Sequence, residues 1–232
     1  MQSGQPDATQ TKLPVELEVL TGLGIVIGAL AIFLGIAVAM NGGGLVTIDR
    51  VVLMSLRNPG DVSDPIGPLW FEGFVRDVTA LGSHGILGLI MIAVAGFLAL
   101  TDRASRAVVI LAYVIIGSLV GGLAKLLFAR ARPDLVPHGV DVMTLSFPSG
   151  HAMQSSIVYL TLAALLAATQ TQARVKAYVL GVAALIVFMV GVSRVYLGVH
   201  WPSDVLAGWA LGTAWATGCW LLDRRLWKRR SA

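Results

Sequence analysis

The chain has 232 residues, 56% of them apolar and only 13% charged, where a soluble domain carries about 25% charge. That balance excludes an ordinary water-soluble globule, and 26 glycines among so few charges exclude a disordered tail, a collagen and a coiled coil. A single cysteine, Cys219, excludes an intrachain disulfide and is too few for a structural zinc or iron–sulfur site.

A membrane helix takes about 20 mostly apolar residues, and such runs fall near 18–40, 82–100, 107–128, 152–170, 175–196 and 204–222. The expected fold class is therefore all-α: a polytopic integral membrane protein with six transmembrane helices, read as a single domain over 1–232. The first run follows Glu16 and Glu18 and exceeds the apolar core of a signal peptide, which also wants basic flanks, so it is expected to stay uncleaved. Residues 41–81 form the longest connection. Within it, Val51, Val52, Met54 and Leu56 among Asp49, Arg50 and Ser55 predict a short amphipathic helix over 46–56 lying in the interface. Pro59, Gly60, Pro65, Gly67 and Pro68 then force turns, and Trp70 and Phe71 suit the interfacial aromatic belt. The segment either lines a lipid entrance or is a packed surface loop.

Lysine and arginine in short loops favour the cytoplasm, and six spans put both termini on one side. That side would hold Lys12, Arg103, Arg106, Arg174, Lys176, Arg224, Arg225, Lys228, Arg229 and Arg230, which is ten of the 17 basic residues. Both termini are thus expected in the cytoplasm. The net charge of +4 comes from the tail, so it reads as topology and contact with anionic lipid, not as nucleic-acid binding.

All four histidines, His84, His138, His151 and His200, then fall on the outer side, where three clusters hold the residue types that handle phosphate. The first runs from Lys125 to Arg132 and Pro133. Seven residues of helix would put both cations on one face after two turns, and Pro133 disfavours helix at Arg132, so a turn is expected there. Such residues also cap helix C-termini and snorkel to headgroups.

The second cluster is Phe147, Pro148, Ser149, Gly150 and His151, directly before the fourth span. Ser149 is a candidate N-cap, Gly150 lets a ligand approach the backbone, and the first helical N–H groups favour an anion. A histidine in that turn can pass a proton to a leaving oxygen. The same string also fits a plain turn into a helix.

The third runs from Ser193 and Arg194 through Gly198, His200 and Pro202 to Asp204. A carboxylate four residues beyond an imidazole can fix its tautomer and leave the other ring nitrogen as nucleophile, and the Arg194 fork suits phosphate oxygens. An acid at the lipid boundary costs free energy unless it has a partner or a task. His84 and His138 belong to no cluster. Asp134 and Asp141 share the loop with His138 and either gate the basic site or are solvated.

Together these clusters resemble the type 2 phosphatidic acid phosphatases, or lipid phosphate phosphatases, in their bacterial membrane-bound branch. Lys125 with Arg132 and Pro133, then Pro148–His151, then Ser193, Arg194, His200 and Asp204 match the three parts of that family's pattern over residues 125–204. The resemblance implies that His200 attacks phosphorus to form a phosphohistidine while Asp204 orients it, and that His151 protonates the leaving oxygen and later activates water. It further implies that Lys125, Arg132, Arg194, Ser149 and Gly150 hold the phosphoryl oxygens, with neither metal nor cofactor. Trp201 stands where relatives often carry tyrosine, which changes pocket packing. The implied substrate is a lipid phosphate or isoprenoid diphosphate, with undecaprenyl diphosphate favoured over phosphatidic acid, phosphatidylglycerol phosphate or lipid A, at the outer face of a bacterial inner membrane. A phosphotransferase would share the pocket. The competing class is a transporter or scaffold that binds the anion without turnover, but transporters hold ionisable residues near the bilayer midplane, and these lie at one interface.

Overall fold

The computed structural model describes residues 15–140 and 144–228, which are mostly helical. Helix α1 (Val15–Asn41) is followed by short α2 (Val46–Met54), a two-stranded hairpin of β1 (Arg57–Asn58) and β2 (Asp61–Pro65), and α3 (Leu69–Ala80). Then come α4 (His84–Leu100), α5 (Ala104–Phe128), α6 (Gly150–Ser155), a π-helical turn (Ser156–Leu160) that continues into α7 (Thr161–Ala168), α8 (Ala173–Tyr196) and α9 (Pro202–Lys228). Lys12, Asp141, Arg229 and Arg230, which entered the charge and loop arguments, lie outside the described residues.

Five helical segments are long and apolar enough to cross a membrane. A sixth is added if α3 and α4, which meet at a 49° bend, count as one span. The chain is an integral membrane protein. Its outer surface is apolar, with Ile27, Val38, Leu100 and Leu127 all exposed, as expected where lipid is the solvent. Hydrophobic burial then drives little helix association, and close backbone approach takes its place. A Cβ on Gly208 of α9 would lie 2.7 Å from the Ser149 carbonyl oxygen, and one on Gly212 2.6 Å from that of Met153. These glycines let α9 lie directly on α6. Beside that seam Phe33, Phe128 and Phe147 pack with ring centroids 5.0–6.0 Å apart, joining α1, α5 and the segment before α6.

The bundle has two distinct polar ends. Arg106 pairs with Asp223, and Arg224 with Glu18, at one end. Asp204 lies 19 residues before Asp223 on the same helix, a rise of about 28 Å, close to the thickness of a hydrocarbon core.

One expectation is corrected here. Helix α5 stops at Phe128, because Ala129 takes a left-handed conformation (φ +45°) and its N–H bonds the Lys125 carbonyl. Lys125 and Arg132 therefore do not share a helix face, and the helix ends before Arg130, not at Arg132. Helix α2 does form, but Asp49 and Leu53 point inward while Val46, Ile48, Val51 and Val52 are exposed. The acid faces the protein because its partners lie there.

Candidate functional site

The site is assembled at the end of the bundle where α5 ends and α6 and α9 begin. Pro202 is the first residue of α9, where its missing N–H costs nothing, and Asp204 sits three residues after the N-cap, Trp201. The Asp204 carboxylate reaches back to accept from the Trp201 N–H at 3.0 Å, one half of a capping box. The same Oδ2 accepts a short hydrogen bond from the Ser146 hydroxyl and lies 3.4 Å from His200 Nδ1. Ser146 Oγ is also 3.3 Å from Nδ1.

On the far side of the ring, Arg132 Nη1 lies 3.1 Å from His200 Nε2. A guanidinium only donates, so Nε2 is the acceptor and Nδ1 carries the proton that faces Asp204. His200 is 1% exposed. Burial holds its pKa well below the ordinary imidazole value, with Asp204 opposing the shift and Arg132 and Arg194 adding to it. The imidazole is neutral, with its free lone pair on Nε2 pointing at a cation.

That cation is fixed by its surroundings. Arg132 donates through Nε to the Thr144 carbonyl at 2.7 Å, through Nη2 to the Thr144 hydroxyl at 3.0 Å, and through Nη1 to the Val199 carbonyl at 2.6 Å. Burial lowers its pKa too, but a guanidinium keeps its charge at any physiological pH. Lys125 Nζ donates to the Leu145 carbonyl at 2.6 Å, and its stem lies 3.5 Å from where a Cβ on Gly150 would be.

Arg194, 4% exposed, donates from Nη1 to the Thr79 hydroxyl at 2.9 Å, while its Nε is buried without a partner. Ser149 occupies the N-cap of α6, but its hydroxyl makes no cap bond and is likewise buried and unpartnered. The expected capping bond is absent, and a buried donor is left for something else. Unsatisfied buried donors are costly, so two beside one set of cations mark a place that suits an anion.

His151 lies within electrostatic range of Arg194, His200, His84 and Arg132. The α3–α4 break backs it, since a Cβ on Gly82 would come within 3.3 Å of the His151 side chain. All eight residues singled out in the sequence, Lys125, Arg132, Ser149, Gly150, His151, Arg194, His200 and Asp204, thus converge at one end of the fold. Of the other histidines, His138 donates from Nε2 to the Pro133 carbonyl at 2.8 Å and closes its own turn, whereas His84 borders the site.

A family model for the PAP2 superfamily matches residues 106–228, a stretch that carries all three clusters. The chain belongs to the PAP2 superfamily. Within it, the chain is 35% identical over 147 residues to phosphatidylglycerophosphatase B of Bacillus subtilis, covering 62% of this chain and 70% of that one. It is 36% identical over 140 residues to decaprenylphosphoryl-5-phosphoribose phosphatase of Mycobacterium tuberculosis, covering 59% and 72%. A solved transmembrane PAP2-type phosphatidylglycerolphosphate phosphatase from Bacillus subtilis superposes with a TM-score of 0.78 at 26% identity, over 86% of this chain and 96% of that one. PAP2 membership makes this chain a membrane hydrolase.

Sequence reasoning missed the groups that hold the PAP2 site together. Ser146, Thr79 and Thr144 are ordinary polar residues with no spacing signal. Asp49 could have been found, because an acid in an apolar helix at the lipid boundary calls for a partner.

Proposed function

We propose that this protein is a single-domain lipid phosphate phosphatase that removes the terminal phosphate of a membrane lipid through a phosphohistidine on His200. The observation that carries the reading is the polarised imidazole: Nδ1 toward Asp204, Nε2 toward the Arg132 guanidinium at 3.1 Å. In the first step Nε2 attacks phosphorus, the bond from phosphorus to the leaving oxygen breaks, and His151, entering as the imidazolium that the anionic substrate favours once bound, delivers the proton that oxygen needs. In the second, His151 takes a proton from water, the hydroxyl attacks phosphorus, and the P–N bond breaks to release inorganic phosphate. Lys125, Arg132 and Arg194, with the Ser149 hydroxyl and the backbone at Gly150, hold the phosphoryl oxygens and stabilise the charge that builds on them. Three cations supply the positive charge that a divalent ion would otherwise bring.

The reading places the site at the outer face of a bacterial inner membrane, with both termini cytoplasmic, α3 and α4 together as the second of six spans, and α2 at the interface. Lipid would reach the site laterally, since its headgroup is charged and its tails are apolar. The sequence favours an isoprenoid diphosphate, while phosphatidylglycerophosphate is the substrate in the name of the Bacillus relative.

The test incubates purified protein in detergent, with EDTA present, with each of those lipids and with short-chain phosphatidic acid, and measures released phosphate. Release that is lost in His200→Ala supports the mechanism. Release that survives His200→Ala, or none from any lipid, overturns it.

A further inference from the structure

Arg130 lies in the same basic stretch as Lys125 and Arg132 and looks like another phosphate ligand. Its contacts say otherwise. Nη1 donates to Asp204 Oδ1 and to Ser203 Oγ, both at 2.7 Å, and Nη2 donates to Asp49 Oδ2 at 2.7 Å. The guanidinium also lies over the Trp201 ring, 5.5 Å from its centroid. Both terminal nitrogens are committed to carboxylates, so this fork is turned away from any phosphate.

Asp49 is tied in as firmly. It is 2% exposed, and besides Arg130 it accepts from the Ser203 backbone N–H at 2.9 Å and from the Ser203 hydroxyl at 2.6 Å. A residue of α2 thereby caps the first turn of α9, the turn that carries Asp204. Because Arg130 occupies Oδ1 of Asp204, Oδ2 is the oxygen left for Ser146, the Trp201 N–H and His200 Nδ1. The guanidinium fixes which edge of the carboxylate faces the imidazole.

We infer that Asp49 and Arg130 are positioning residues for the phosphatase reaction: a buried carboxylate–guanidinium–carboxylate relay from α2 that keeps Asp204 aimed at His200. The relay rests on the reading of His200 as nucleophile and extends it by two residues that do not touch the phosphoryl group. Two buried carboxylates share one guanidinium, so removing that cation alone leaves both acids facing each other, and breaking a buried pair from one side costs more than removing both partners. That asymmetry separates the relay from a simple brace, for which losses combine independently.

The test uses the full chain in detergent with short-chain phosphatidic acid, measuring kcat and KM separately. Asp49→Asn, which keeps size and shape, is expected to lower kcat by about ten- to a hundredfold through misplacement of the Asp204 carboxylate, with KM within about twofold. Arg130→Gln is expected to lose more, approaching Asp204→Asn. Adding Asp49→Asn to Arg130→Gln is expected to recover about fivefold or more of kcat, because the unpaired second carboxylate is gone. The relay is overturned if Asp49→Asn keeps full kcat, if either single variant raises KM at unchanged kcat as a phosphate ligand would, or if the double variant shows the product of the two losses. Should Arg130→Gln fail to fold, the kcat and KM of Asp49→Asn decide alone. His200→Ala run beside these separates the two levels. Turnover surviving in it removes the nucleophile and the relay together, whereas its loss beside an unaffected Asp49→Asn removes the relay only.

Discussion

The seam between α6 and α9 can be opened by a single methyl group. A Cβ at Gly208 would lie 2.7 Å from the Ser149 carbonyl oxygen, 3.0 Å from Ala152 Cβ and 3.2 Å from the Met153 nitrogen. Two of these are backbone atoms that no rotamer change can move, so α9 and α6 must part by about half an ångström in Gly208→Ala, an overpacking that costs roughly 1–3 kcal/mol. The better helix propensity of alanine offsets at most about 1 kcal/mol. The displaced backbone is the one whose Ser149 N–H bonds the Asp204 carbonyl at 2.9 Å, so the turn proposed to hold the phosphoryl group moves relative to His200. A misplacement of 1 Å costs about a hundredfold in rate, and half of that about tenfold. Gly181→Ala is the control, since that position on α8 is exposed and has nothing within 4 Å of the added carbon. Phosphate release and thermal unfolding in detergent should show Gly208→Ala about tenfold slower and several degrees less stable, with Gly181→Ala equal to the parent or better. Equal rates and melting temperatures for the two variants would refute the reasoning.

Three further outcomes follow from the geometry. Arg132→Lys keeps the charge but cannot span the Thr144 and Val199 carbonyls and His200 Nε2 together, so kcat/KM should fall about a hundredfold with little change in melting temperature. Because burial holds the folded His200 below its ordinary value of about 6.5, the unfolded chain binds the proton that the fold refuses. This contribution to stability is complete above pH about 6.5 and falls as pH drops toward the folded value. Melting temperatures between pH 7 and 5 should therefore decline more steeply in the parent than in His200→Asn. His138 is exposed on the site's side of the bundle and Cys219 is buried, so His138→Cys in intact cells should react with an impermeant maleimide from outside. Labelling only after the membrane is opened would reverse the proposed orientation.

The sequence by itself determined the solvent, the helical class and the three clusters, because each is local. Apolar run length reports the bilayer, and Lys125 to Pro133, Pro148 to His151 and Arg194 to Asp204 can be read within short windows. Alternating spans put all three on one expected face, and the structure brings them together. Only the tertiary structure decided what holds the cluster in place. The orientation of Asp49 is set by Arg130 and Ser203, 81 and 154 residues away, and no hydropathy pattern carries that information. The end of α5 at Phe128 is of the same kind, since a left-handed Ala129 has no sequence signal. Beyond it the chain delivers Arg130 to two carboxylates and Arg132 to the imidazole. Buried charges take whichever partner the packed helices bring within reach, and in this fold the partners come from α2, from the segment before α6 and from α9.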